Sequence, residues 1–509
     1  MAAIITSNFR TVNASHFKEQ IEGSSVYVAI GKSDVWSLTT SDTTDTTPFV
    51  PSDNLDQLGE ARANLIGMKK IVPADIAHVV PRHTWTSGRS YFAWDSDDSS
   101  IFDKAFYVVT SEFKVYKCIK AGGGASSIQP TQTLTAPTAE SDGYTWKYMY
   151  TISVADAEKF LTNSYMPVKT VSLSATAIVA VASTTTTIIL TETVPGISVG
   201  MTVSGTNVGS SKTVSAINGS VLTLSGAPSG SVSGILTFAY ANDAAAENVL
   251  SEADYAQYLN QKASRDSSTA AGIERIEVTD GGTGYTANTN VAVTITGDGA
   301  GATVTTTAGI TVSSGAVTGI TIANKGTNYR VADIVISGGA GSDATARAVI
   351  SPKAGHGVDP VSELGGFFVA LNTKLDGNDG GDITVGNDFR QITLFNEPRA
   401  YNATPLTGNI ATADTLKATS YLDFNSSATV ANYTVDELIV GAGGAQAYVV
   451  EKDTSNGFLR YHQNSKTGYI PFVSGDTITG TLPSGGSAAL NTTSGTTWYG
   501  QATNGYGPE

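Results

Sequence analysis

Cysteine is nearly absent: the 509-residue chain holds one, Cys118. A lone thiol cannot close an intramolecular disulfide or build a cysteine zinc site, and it suits folding in a reducing compartment. Charge is sparse too, at 15% of residues, with 45 acidic against 30 basic side chains and a net charge of −15. No cluster of Lys and Arg suited to tracking phosphates occurs, which argues against nucleic acid as a partner. No apolar run approaches the ~20 residues needed to span a bilayer. The best, Ala177 to Leu190, is broken by four threonines. The opening "MAAIITSNFR" lacks both the basic lead and the apolar stretch of a secretory signal. A soluble protein made in the cytosol, with no membrane insertion, is the expectation.

Catalytic patterns are equally scarce. His16, His78, His83, His356 and His462 are scattered, none paired at i, i+4, and neither HExxH nor GxSxG occurs. The reading is therefore no enzyme, with no catalytic, cofactor-binding or metal-binding residue assigned. Two acidic clusters are the exceptions to weigh. Asp95, Asp97 and Asp98 stand together, as do Asp376, Asp379 and Asp382 in a glycine-rich loop. Either could offer calcium its oxygen ligands, although Asn387 stands where an EF-hand places its bidentate Glu.

What the chain does have is glycine, 53 residues, among abundant Thr, Ser, Val and Ala. That composition predicts many short strands joined by tight turns. In the first third, Asn13 to Gly23 reads as a helix capped by Asn13 or Ser15 and stopped by Gly23. A second helix reads from a Ser52 cap to Gly67, with Leu55, Leu58 and Leu65 inward. The stretches "SVYVAIG", "KAFYVV" and "FKVYKCIK" read as strands. From Val171 to Phe238 hydroxyl and aliphatic residues alternate, with Asn218 and Gly219 at a hairpin turn. A polar helix follows, with Ser251 and Asp254 at capping-box spacing. Near the C-terminus, Asn456 and Gly457 mark the tip of another hairpin, and "FVSGDTITGTLPSGGSAAL" reads as a further strand pair and turn.

One segment repeats. "IEVTDGGTGY" (Ile276 to Tyr285) returns 44 residues later as "ITIANKGTNY" (Ile320 to Tyr329), and "VTITGDGAGAT" is answered by "IVISGGAGSDAT" after a two-residue gap. A gap of two preserves strand parity. The "GDGAG" glycines resemble a phosphate loop only superficially. A dinucleotide fingerprint needs a helix after its glycines. Here "ATVTTTAGITV" follows, with the period of a strand. These glycines turn the chain.

Several stretches resemble one known family. "IITSNFRTVNASHF", "VYVAIGKSDVW", "VPADIAHVVPRHTW", "VYKCIK" and "DGYTWKYMYTI", and further on "GHGVDPVSELGGFFVALNTKL" and "NDFRQITLFNEP", are similar to the baseplate wedge subunit family of large contractile-tailed phages. The likeness covers the first 170 residues or so and Lys353 to about Pro405. It implies a structural virion protein, mainly β with a few short helices, that forms homodimers, packs on other wedge subunits around a central hub, and moves when the plate meets the host. The implied organisation is a multi-domain β-sandwich or barrel core interrupted by inserted all-β modules. Its segments are 1–170 (core), 171–240 (inserted module), 241–272 (helical linker), 273–350 (repeat module), 351–420 (core again) and 421–509 (C-terminal β module). Interface candidates, chosen as aromatics and arginines, are Trp36, Arg82, Trp85, Trp94 and Arg390. The rival readings are a β-rich adhesin that binds host-surface glycan through the added modules, and a glycan depolymerase using Asp95, Asp376 or Asp379.

Overall fold

The computed structural model describes residues 6–36, 54–194, 196–268, 271–286, 290–305, 309–375, 388–398, 410, 418–424, 430–455, 457–464, 466–473, 475–482 and 487–489. Asp376, Asp379, Asp382, Asn387, Ser52 and Asn456 lie outside these. By internal packing the chain divides into two units, one of 1–19 with 77–371, the other of 20–76 with 372–509. Both are mainly β.

In the first unit a four-stranded sheet runs Tyr107–Val109, Lys114–Lys120, Thr145–Thr151, Thr138–Ala139 in spatial order. A three-stranded sheet runs Phe368–Leu371, Ile76–Pro81, Tyr165–Val168. Between them Phe106, Tyr107, Val115, Met149 and Met166 form a fully buried core with Leu364. The first helix spans Ser7–Gly23 and begins six residues before the Asn13 expected from sequence. Thr6 supplies the earlier stop, its hydroxyl accepting the Phe9 N–H at 3.2 Å.

The interval after Val171 forms a six-stranded antiparallel sheet in the order Thr202–Ser204, Ile235–Ala239, Ser174–Val181, Thr187–Leu190, Val221–Leu224, Val214–Asn218. Period-two alternation sends Ala177, Val179, Ile188, Leu190, Leu236 and Phe238 into one core. Each of the larger ones adds ~1.5–3 kcal/mol by burial. The hairpin turn is one residue later than expected. Asn218 pairs with Val221, so Gly219 and Ser220 form the loop. Gly219 has φ +57, and among these two it alone has positive φ, the pattern of a II′ turn with Gly first. The polar helix is Glu252–Ser267, and the Ser251 hydroxyl accepts the Asp254 N–H as its cap.

The two repeats interlock. Ile276 pairs directly with Ile320, its own counterpart. The equivalent strands Val291–Gly297 and Ala332–Gly338 pair antiparallel along their full length. The last strand of each repeat then crosses over: Thr345–Ile350 pairs with Ile273–Asp280, and Ala300–Val304 with Ile322–Thr327. The Tyr285 N–H donates to Gly315 and the Tyr329 N–H to Ala271, contacts that exchange under the 44-residue shift. The module thus has an internal pseudo-twofold. Both tyrosines are buried. A Cβ at Gly299 would sit 2.5 Å from the Tyr329 ring, and one at Gly341 2.5 Å from the Tyr285 ring. The glycines of "GDGAG" and "GGAGS" clear space for a tyrosine of the repeat.

In the second unit, Leu65–Lys70, Val26–Gly31 and Gln391–Asn396 form a three-stranded sheet. The expected helix to Gly67 ends sooner: it spans Leu55–Ala63, capped by Asn54, and Leu65 already belongs to a strand. Leu65 is buried there, but Leu55 and Leu58 face outward, 81% and 40% exposed. Pairing of Leu65 with Gly31 wins over helical continuation. A six-stranded sheet follows in the order Ser420–Asp423, Phe458–His462, Gln446–Asp453, Leu438–Gly441, Thr477–Gly480, Ser487–Ala489. Leu422, Tyr433, Ile439, Leu459 and Phe472 form its core.

Candidate functional site

Within the first unit, polar side chains converge where the strands Lys114–Lys120 and Thr145–Thr151 meet the segment that follows Val171. The strand "KVYKCIK" sets Lys117 on the side of Val115 and Ile119, and the strand "TWKYMYT" places Lys147 opposite it in register. Both lysines are buried. Like charges directly opposite one another in a sheet repel, so other groups must hold them.

Glu363 is the principal one. Its Oε2 accepts from Lys117 Nζ at 2.8 Å, and its Oε1 accepts the N–H groups of Gly357, Val358 and Asp359 at 2.7, 3.0 and 3.2 Å. Pro360 at the first position and Gly365 in the left-handed region fix the short helix Pro360–Leu364 that carries it. Burial, the largest single influence, would raise the Glu363 carboxyl, but the neighbouring Lys117 and His356 together outweigh it and hold the group down at about 2. Burial pulls Lys117 down while Glu363 pushes it up; the three N–H donors on the carboxylate decide for an ion pair. Lys117 also lies 3.8 Å from the centre of the Trp94 ring.

Lys147 has no carboxylate at bonding distance: its Nζ donates to Thr135 O at 2.5 Å and Ser264 Oγ at 2.9 Å. Burial lowers it to about 8, with Glu363 opposing and Lys117 reinforcing the shift. His356 sits between Glu274 and Glu363 at 3.7 and 3.8 Å, too far for hydrogen bonds, and neither ring nitrogen has a partner. Burial keeps the ring neutral by lowering it to about 4. Glu274 accepts from Lys325 at 2.7 Å.

A second set of contacts ties the repeat to the core. Arg347 grips both oxygens of Asp95 and reaches Glu277. Arg275 bonds Glu277 and the carbonyls of Trp94 and Ile119. The Trp94 indole donates to Ile350 O at 3.4 Å, and Ser96 accepts the Ile350 N–H. Gln261 closes the junction, donating to both Val171 O and Val358 O, the entry and the exit of the intervening segment. The acidic stretch is thereby split: Asp95 serves Arg347, while Asp98 bonds Lys104 and Ser100. Among the described residues no group of three or more His, Cys, Asp or Glu could hold a metal ion.

The chemistry available here is cohesive. Cys118 is buried and burial pushes its thiol up to about 12, which suppresses thiolate. Ser15 Oγ lies 3.3 Å from His78 Nε2, but His78 Nδ1 is buried without a partner, so no carboxylate orients the ring.

Of the five interface candidates, Trp94 packs inside between Phe102, Phe106 and His356. Trp85 packs on Tyr91, Tyr144 and Trp146, its indole bonded to Ser126. Arg82 is half-buried and donates to Thr162 O and Thr84 Oγ1. In the second unit Arg390 donates to Ser33 O and Asp388, and Trp36 is half-buried beside Lys32. Sequence reasoning missed Lys117, Lys147, Glu363 and Glu274; the one local signal was a lysine at an inward position of an apolar strand.

No helix among the described residues is long and apolar enough to cross a membrane. Residues 3–123 match the model of the family described as Bacteriophage T4, Gp8. The chain is also 23% identical over 202 residues to the baseplate wedge protein gp8 of Enterobacteria phage T4, an alignment that takes in 33% of this chain. It spans 60% of the length of that relative. The stretch of the chain that carries these matches is similar to the baseplate wedge family of T4-like phages.

Proposed function

We propose that the protein is a structural subunit of a phage tail baseplate wedge, that it pairs with a second copy and links neighbouring wedge proteins, and that it carries no catalytic activity. In this reading 171–240 and 273–350 are modules inserted into the wedge core and 421–509 is an added one. The observation that carries the proposal is the family match over residues 3–123. The buried tie between core and insert supports it, because a part that transmits force between neighbours must be internally rigid.

The surface of the first inserted sheet favours protein contact over sugar binding. Ile178 pairs across strands with Ile235, and Ile189 with Val181; these side chains are 52%, 68%, 42% and 61% exposed on the outer face. Contiguous exposed aliphatics mark protein interaction surfaces. The aromatics between Val171 and Ile350 are Phe238, Tyr240, Tyr255, Tyr258, Tyr285 and Tyr329; Tyr255 is half-buried and the others are buried, leaving little to stack on a sugar ring. Imaging of the intact particle tests the proposal. Paired copies in each sector of a sixfold tail plate are expected; absence of the chain from the plate, or glycan cleavage by the purified protein, overturns it.

A further inference from the structure

A cavity of about 250 Å³ opens beside the buried charges, lined by Lys147, Ser264, Glu274, Lys325, Ser351 and His356 among others. Its charge does not balance. Three lysines stand in or directly behind its wall, Lys117, Lys147 and Lys325. The carboxylates facing them are two, Glu363 bonded to Lys117 and Glu274 bonded to Lys325. With His356 neutral, Lys147 is left as a buried cation with only a carbonyl and a hydroxyl for company. A buried charge without a counter-charge is strongly disfavoured.

The hydrogen bonds are unbalanced in the same direction. An ammonium has three N–H donors, and two of those on Lys147 are used. Ser264 Oγ accepts from Lys147 and keeps its own proton to donate. A neutral imidazole carries one N–H, and on His356 it meets no acceptor. Lys325 donates once, to Glu274. Ser351, by contrast, is satisfied on both sides by the backbone of Gly272 and offers nothing. Surplus positive charge and surplus donors thus face one polar space.

We propose that this cavity binds a small inorganic oxyanion of the phosphate or sulfate class, with Lys147 as its counter-charge and Ser264, His356 and Lys325 as further donors. The wall is drawn from the core strand (Lys147), the polar helix (Ser264), the repeat module (Lys325) and the returning core segment (His356). Such an anion pins the insert to the core at the point where four segments meet, and it stabilises the fold by binding the folded chain alone.

Calorimetric titration of the full chain with inorganic phosphate, at constant ionic strength set with chloride, tests this directly. Saturable one-to-one binding and a phosphate-dependent rise in Tm are expected, and sulfate should compete. Lys147→Met should weaken phosphate about tenfold or more, the loss expected for one charged hydrogen bond, whereas Lys212→Met, in a loop outside the cavity lining, should bind as the native chain does. Should Lys147→Met fail to fold, the native chain still decides. No heat and no Tm shift with phosphate beyond that of chloride overturns the proposal. So does binding that Ser264→Ala and Lys147→Met both leave unchanged.

Discussion

Lys117 and Glu363 show how a single residue can matter more for what its loss exposes than for what it contributes. The pair has no exposure to speak of, and desolvation offsets much of its attraction. Replacing Lys117 by Met leaves a carboxylate in the core with three backbone donors and no cation, a change expected to cost ~3–5 kcal/mol. Lys117→Met with Glu363→Gln should recover much of that, because the stranded charge is gone. Urea denaturation of the two variants checks it, and equal losses would argue that packing rather than charge governs the site. The histidines should make this unit acid-sensitive. His356 and His78 are held by burial at about 4, below the ordinary value of 6.5. The unfolded chain therefore binds more protons between these values. Their contribution is full above pH 6.5 and is lost as pH falls towards 4, on the order of 3 kcal/mol each at the limit. Glu363, held at about 2, adds a second loss between pH 4.5 and 2. Scanning calorimetry from pH 7.5 to 4 should show Tm falling in the first window, and His356→Leu should flatten the fall. A Tm constant down to pH 5 in the native chain would contradict this account.

Strands and turns obey a different economy, set by backbone geometry. The repeat's tyrosines fill sockets that only glycine leaves open. Gly341→Ala drives a Cβ to 2.5 Å from the Tyr285 ring and 2.7 Å from Thr283 O, and Gly299→Ala repeats the clash at Tyr329 and Thr327 O. Each should destabilise the module by ~1–3 kcal/mol, while Gly124→Ala, with nothing within 4 Å, should be near neutral. Thermal unfolding of the three variants distinguishes them; a neutral Gly341→Ala would mean the ring can move aside. Much at this scale was legible in the sequence because it is local. The Ser251 cap, the alternation after Val171 and the 44-residue repeat each depend on neighbours a few residues away or on identical partners. Failures came where a distant partner overrode the local pattern. Leu55 and Leu58 had helical spacing, but the strand beginning at Leu65 takes the inward place. The buried cluster was illegible for the same reason: Lys117 and Glu363 are 246 residues apart. A lysine in an apolar strand hints at a partner without naming it.

Across the first unit, the segment of some 180 residues between Val171 and Ile350 must be held to the strands on either side of it. Gln261 fastens entry and exit together, yet the repeat module lies further along and needs its own anchor. Arg347 supplies it, with Asp95 on the core and Glu277 on the module. These groups are 14–35% exposed, so water and salt screen them only in part. Arg347→Ala removes the cation that Asp95 and Glu277 share, leaving Glu277 to Arg275 and Asp95 without its bidentate partner. Attachment should weaken by ~1–3 kcal/mol, and at ~1.4 kcal/mol per tenfold that means roughly a five- to hundredfold rise in local opening. Hydrogen exchange read by mass spectrometry should then show faster exchange in Thr345–Ile350 and Ile273–Asp280, with the sheet of 174–239 unaffected. The localisation carries the argument. Faster exchange spread evenly over the first unit would mean that the unit unfolds as one body, and that the arginine only adds to a general stability.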